Sequence, residues 1–160
     1  MRWLAMMLVA GLLGGCALTT STSTGSRARL YASVEELSQD SPLIVVGTSS
    51  DPVSEPDRTG STVTITEVIG STLTEAPAVG DTVRVWQVAD PRLSTDTPYL
   101  LFLTPTGLEP TLFSSDGDHE YYVVGVTAGL WLSTGSTDSF ERSGDEGDTL
   151  PATLNLDELR

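Results

Sequence analysis

Two runs in this chain, Leu43-Ile44-Val45-Val46-Gly47-Thr48 and Tyr99-Leu100-Leu101-Phe102-Leu103, are continuous apolar stretches of strand length, and Pro105 with Gly107 stops the second. Segments that short and that rich in β-branched and aromatic residues read as strands. A strand with one face in water alternates, so a strand without alternation is covered on both faces. Any fold for this chain must therefore place structure on both sides of these two segments.

The weaker strands fill in around them. In Ser61–Ile69, Val63 and Ile65 share one face while Thr62, Thr64 and Thr66 share the other, and the alternation slips at Glu67-Val68-Ile69, which predicts a bulge or a bend. In Thr82–Ala89, Val83 and Val85 point one way while Arg84, Trp86 and Val88 point the other. Tyr121–Val126 and Leu130–Ser133 read as further strands joined by a turn at Thr127-Ala128-Gly129, and a short strand is expected around Phe140. Pro52, Pro56, Asp57 and Gly60 predict a loop over Asp51–Gly60, with others over Gly70–Gly80 and Pro91–Pro98. One helix is expected, over Val34–Gln39: Ser33 and Glu36 have capping-box spacing, Val34 and Leu37 share a face, and Pro42 ends it. Short strands at regular spacing with turn chemistry between them predict a mainly β protein, a small antiparallel barrel or sandwich. The barrel is expected over residues 30–142. Residues 143–160 read as an acidic tail, mobile over Ser143–Asp148 and ending in a helical turn capped by Asn155.

The first fifteen residues do not belong to that barrel. Arg2 is followed by eleven uncharged residues, Trp3 to Leu13, about half the length needed to span a bilayer, so the run reads as a signal-peptide core. Leu13-Gly14-Gly15-Cys16 ends it and resembles the bacterial lipobox at all four positions. That resemblance implies signal-peptidase recognition through Leu13, Gly14 and Gly15, and a diacylglyceryl group on the Cys16 sulfur. Two acyl chains, at about 0.8 kcal/mol per buried methylene, give stable attachment where one is marginal. The expected location is the outer face of the cell membrane. Cys16 is the only cysteine, so no intramolecular disulfide is available and the core alone must hold the fold. Residues 16–29 form a Ser/Thr-rich tether, either a plain polar linker or an acceptor of O-linked sugars, with a span of roughly 20 Å.

Charge restricts the partners. The chain has 22 acidic residues against eight arginines, no lysine, and a formal net charge of −14. Nucleic acid, anionic headgroups and phosphate-rich polymers are repelled by such a surface.

Few residues have the pattern of a chemical site. His119 is the only histidine and no Gly-x-Ser-x-Gly elbow accompanies it, so no enzyme activity is expected. A zinc site wants more His or Cys than the chain has. Asp116, Asp118 and Glu120 alternate as calcium ligands do, but Tyr121 stands where the loop needs glycine, and a solvated hairpin is the plainer account. Asp145, Glu146 and Asp148 read as weak calcium ligands or as a solvated acidic stretch. Trp86 and Trp131 lie opposite aliphatic pairs and, with Tyr121, suggest a ligand face on which a sugar stacks. The competing account buries these aromatics under the helix.

The order of Ser33-x-Glu35-Glu36-Leu37, Ser41-x-x-x-Val45-Val46-Gly47, Glu67-Val68-Ile69-Gly70, Gly80-Asp81-x-Val83-x-Val85, Tyr99-Leu100-Leu101-Phe102-Leu103 and Tyr122-Val123-Val124-Gly125 resembles small lipoproteins and secreted proteins of actinobacteria. The resemblance covers about Tyr31 to Gly129 and implies an OB-like barrel, akin to netrin-like and metalloproteinase-inhibitor domains. That family often has a lysine before the glycine of its Glu-Val-Leu-Lys-Gly turn, where this chain has none, and a glycine shortly before the Tyr-Leu-Leu-Phe-Leu strand, where this chain has Thr95 to Thr97. Those inhibitors act through a free N-terminal cysteine amine; with Cys16 lipidated, that mechanism does not carry over. The expectation is a lipid-anchored extracytoplasmic domain, needing no cofactor, that binds an envelope protein, or alternatively an oligosaccharide or a cation.

Overall fold

Strand β1, Leu43–Glu55, sends alternate residues into two separate cores. Leu43 and Val45 enter one; Ile44 and Val46 enter the other. Strand β4, Pro98–Pro105, does the same, with Leu101 and Leu103 on the first side and Leu100 and Phe102 on the second. Both uninterrupted apolar runs are thus covered on both faces, as their lack of alternation demands. The computed structural model describes residues 29–107, 119–144 and 147–160. The lipobox, most of the tether, Leu108–Phe113, Asp116, Asp118, Asp145 and Glu146 lie outside the described residues.

The first core is the inside of a barrel. β1 pairs along β2, Arg58–Ser71, which pairs with β3, Thr82–Gln87. β3 meets β5, His119–Val123, β5 meets β4, and β4 returns to β1. Five strands therefore close on themselves in the order β1-β2-β3-β5-β4, antiparallel at every ladder except β3–β5, which is parallel. This is the closed barrel of the OB type, and closure leaves none of the five as a free sheet edge over the paired span.

The second core lies outside the barrel. β4 shares its far edge between β5 and β6, Leu130–Ser133, and β6 continues to β7, Ser139–Arg142, and β8, Thr153–Asn155. Helix α1, Val34–Gln39, lays Leu37 against this extended sheet together with Trp131, Phe140 and Leu154. The Ser33 hydroxyl accepts from the Glu36 amide at 3.2 Å, but the Glu36 carboxylate reaches back to the Ala32 amide rather than to that of Ser33.

Two differences from expectation have physical causes, and one expected irregularity is found in place. Asp51–Gly60 is not a loop: β1 and β2 run on as a hairpin arm turned by Pro56-Asp57, and Pro52 is accommodated at a register shift. The slip near Glu67–Ile69 is real, with ladder irregularities opposite Ile44/Val45 and Val46/Gly47. Residues 147–160 are not a tail: Leu150, Leu154 and Leu156 are buried in the second core, and the Asp148 carboxylate accepts from the Tyr31 amide at 2.7 Å. Asn155 does cap a final turn, Leu156–Glu158, with both arms of a capping box.

Between β5 and β6 the chain makes a six-residue excursion, from Val124 to Gly129, pinned to both polar groups of Phe102. Val126 there has φ of 66°, a left-handed conformation that costs a β-branched residue about 1–2 kcal/mol. Glycine relieves this strain and returns part of the gain as unfolded-chain entropy. Val126→Gly is expected to raise the unfolding free energy by up to about 1 kcal/mol, read from thermal or urea unfolding.

Candidate functional site: a charged aromatic clasp and an apolar groove

Trp86, Trp131 and Tyr121 do not form a common ligand face. Trp86 and Trp131 are 0% exposed and Tyr121 is 2% exposed. Tyr121 pairs with Val85 and lies inside the barrel, whereas Trp131 lies in the second core with its indole nitrogen donating to the Ala128 carbonyl at 2.8 Å. Trp86, one residue along β3 from Val85, points out of the barrel. The stacking platform is therefore corrected to three separate buried rings. Only Trp131 is covered by the layer that holds α1.

Trp86 instead anchors a clasp on the outer face of β2, β3 and β5. Gly60 is its partner across the β2–β3 ladder, and a Cβ there would run into the Val85 carbonyl and come to 3.0 Å from the indole, so the missing side chain lets both the β3 backbone and the ring approach. The Arg58 guanidinium covers the other side, 3.9 Å from a ring centroid. Glu120 ties the group together. Its carboxylate accepts from Trp86 Nε1 at 3.1 Å and from Arg58 at 3.0 Å, and Arg84 approaches it at 3.4 Å. Glu55 holds Arg58 from the hairpin at 2.7 Å. Burial acts to lower the Arg58 pKa, but the hydrogen bonds and charges of Glu55 and Glu120 outweigh it and raise the guanidinium above its ordinary value. Glu120 is thereby committed to two arginines and an indole, not to a calcium ion.

A second feature lies where the extended sheet leaves the barrel. Register puts Tyr99, Leu132 and Glu141 in one row across β4, β6 and β7, with Leu101 and Leu130 in the row behind. That face lines the barrel interior as far as Leu130 and then runs on uncovered, leaving Leu132 37% exposed. The segment Pro91–Ser94 stands opposite, making an open groove of about 350 Å³ with Tyr99, Leu130 and Leu132 in its lining. The facing wall is held firmly. Gln87 donates to the Pro91 carbonyl and accepts from the Leu93 amide, both at 2.9 Å, and the Ser94 amide donates to the Tyr99 hydroxyl at 2.9 Å. Arg92 and Arg142 on one hand and Glu141 on the other put both signs of charge in the lining.

His119 lies beside Tyr121, ring centroids 6.4 Å apart. Burial raises the pKa of the Tyr121 hydroxyl. Burial also raises that of Tyr31, whose hydroxyl donates to Asp40 at 3.1 Å, and the neighbouring carboxylate adds to the rise. Each neutral phenol therefore contributes stability in full below the ordinary pKa of about 10, and loses it as pH climbs through the raised folded value. Stability is expected to fall above about pH 10, and Tyr31→Phe to remove part of that slope in alkaline denaturation curves.

Neither clasp nor groove is written in a sequence motif. Arg58, Glu120 and Trp86 meet across three strands, and the nearest signal was the alternation that puts Arg84 and Trp86 on one face of β3. The sequence matches no protein-family model, and no curated protein matches it.

Proposed function

We propose that this chain is a lipid-anchored interaction domain of the cell envelope, held at the outer face of the membrane through a diacylglyceryl group on Cys16, and that its barrel binds another envelope protein. The proposal assigns it no catalytic step. Leu13-Gly14-Gly15-Cys16 after an apolar run too short to span a bilayer supports the anchor. The groove is the observation that carries the binding role: it is a preformed concavity in which the exposed Leu132 lies among charged and polar groups, able to receive a side chain of a partner. The burial of Trp86 and Trp131 weighs against the oligosaccharide alternative, since among the described residues no indole face is open for stacking.

The test is mild crosslinking in cells of the tagged full-length protein, with membrane purification and mass spectrometry, beside Cys16→Ala. One protein partner recovered in near-equal amount from the anchored form, and lost with Cys16→Ala, is the expected result. Correctly anchored material that yields no protein partner would move the assignment to small ligands.

A further inference from the structure

We infer that the groove between Pro91–Ser94 and the β4–β6–β7 face takes one aliphatic side chain of a partner protein, a leucine or isoleucine flanked by one acidic and one basic residue. This rests on the interaction reading above and names the chemistry of its partner.

The floor selects the aliphatic group. Leu132 is one of the few exposed large apolar side chains among the described residues, and it sits within a concave row between Tyr99 and Glu141 rather than alone on a convex surface. Tyr99 is only 4% exposed, so its ring offers edge contact and hydrogen-bonded support, not a face on which a sugar can stack. The volume, about 350 Å³, accommodates a side chain and its adjoining backbone but not a helix.

The lining selects the flanking charges. Arg92 is fixed by its bonds to the Gln87 carbonyl at 2.9 Å and to Asp90 at 3.1 Å, and its side chain keeps 44% of its surface exposed toward an incoming carboxylate. Glu141, on β7 opposite Leu132, belongs to the other wall and suits a basic neighbour. Arg142, also in the lining, donates to the Asp148 carbonyl at 3.4 Å, so the lining carries both signs, and a segment bearing both signs suits it better than a lone cation or a lone anion. Because Gln87 and Tyr99 already hold the facing wall, little ordering opposes binding.

The probe is the capped tripeptide acetyl-Asp-Leu-Arg-amide, titrated into the full-length protein in lipid nanodiscs and followed by saturation-transfer NMR, with acetyl-Asp-Ser-Arg-amide as its comparison. The leucyl peptide should bind roughly tenfold more tightly, the scale set by burying one aliphatic side chain. Leu132→Asp should abolish the difference. Leu132 is partly exposed, so this variant should fold, and an unchanged circular-dichroism spectrum checks that it does. Equal binding of the two peptides, or a preference that survives Leu132→Asp, overturns the inference. In cells, a partner still crosslinked to Leu132→Asp leaves the interaction reading standing and removes the groove from it. Absence of any partner for the unaltered protein removes that reading, while the peptide comparison still decides the groove.

Discussion

Deleting residues 148–160 is expected to unfold the domain. The deletion takes away Leu150, Leu154 and Leu156 from the core that α1 and Trp131 share. Each buried leucine reduced to alanine costs about 2–5 kcal/mol, and here whole side chains and strand β8 go together. The sum reaches the entire stability of a typical domain, about 5–15 kcal/mol. Asp148 leaves too, so the Tyr31 amide loses its carboxylate partner at the point where the tether enters the fold. Leu154→Ala alone, with 2% exposure at that position, should cost about 2–4 kcal/mol in urea unfolding. A truncated chain with an unchanged cooperative transition would make the segment a true tail.

Glu120→Ala is expected to cost about 2–4 kcal/mol, the range for breaking a largely buried ion pair, reduced somewhat for the solvent that reaches its arginines. Glu120 is 12% exposed in its side chain, Arg58 15% and Arg84 32%. Removing the carboxylate leaves Arg58 with Glu55 alone and takes the acceptor from the Trp86 indole. Glu120→Gln keeps an acceptor oxygen but loses the charge, so its cost should fall to about half. Tryptophan fluorescence during denaturation separates the outcomes, because loosening of Arg58 admits water and quencher to Trp86. Equal stability of all three forms would show that the clasp contributes nothing.

Much of the framework is legible residue by residue. The unbroken run Leu43–Val46 announces burial on both faces, the spacing of Ser33 and Glu36 sets the start of α1, and the broken alternation after Thr66 marks the bulges of β2. Other features are hidden for identifiable reasons. Pro52, Pro56 and Gly60 look like loop residues, yet Pro52 falls at a ladder irregularity, Pro56 in a two-residue turn, and Gly60 is required because a Cβ there would meet the Val85 carbonyl and the Trp86 ring. Residues 147–160 look polar because their inward-facing leucines, Leu150, Leu154, Leu156 and the partly buried Leu159, are too sparse a pattern to signal a strand. The clasp and the groove depend on pairings between segments far apart in the chain, Trp86 with Glu120 across a parallel ladder and Leu132 with Tyr99 across β4–β6, which no local pattern encodes.

Location and partner both hang on the N-terminus, so the most direct measurement is the intact mass and N-terminal peptide of the protein extracted from membranes. A mature chain that begins at Cys16 and carries a diacylglyceryl group is the predicted result. An unmodified Cys16, or a mature chain that begins elsewhere, would contradict the account.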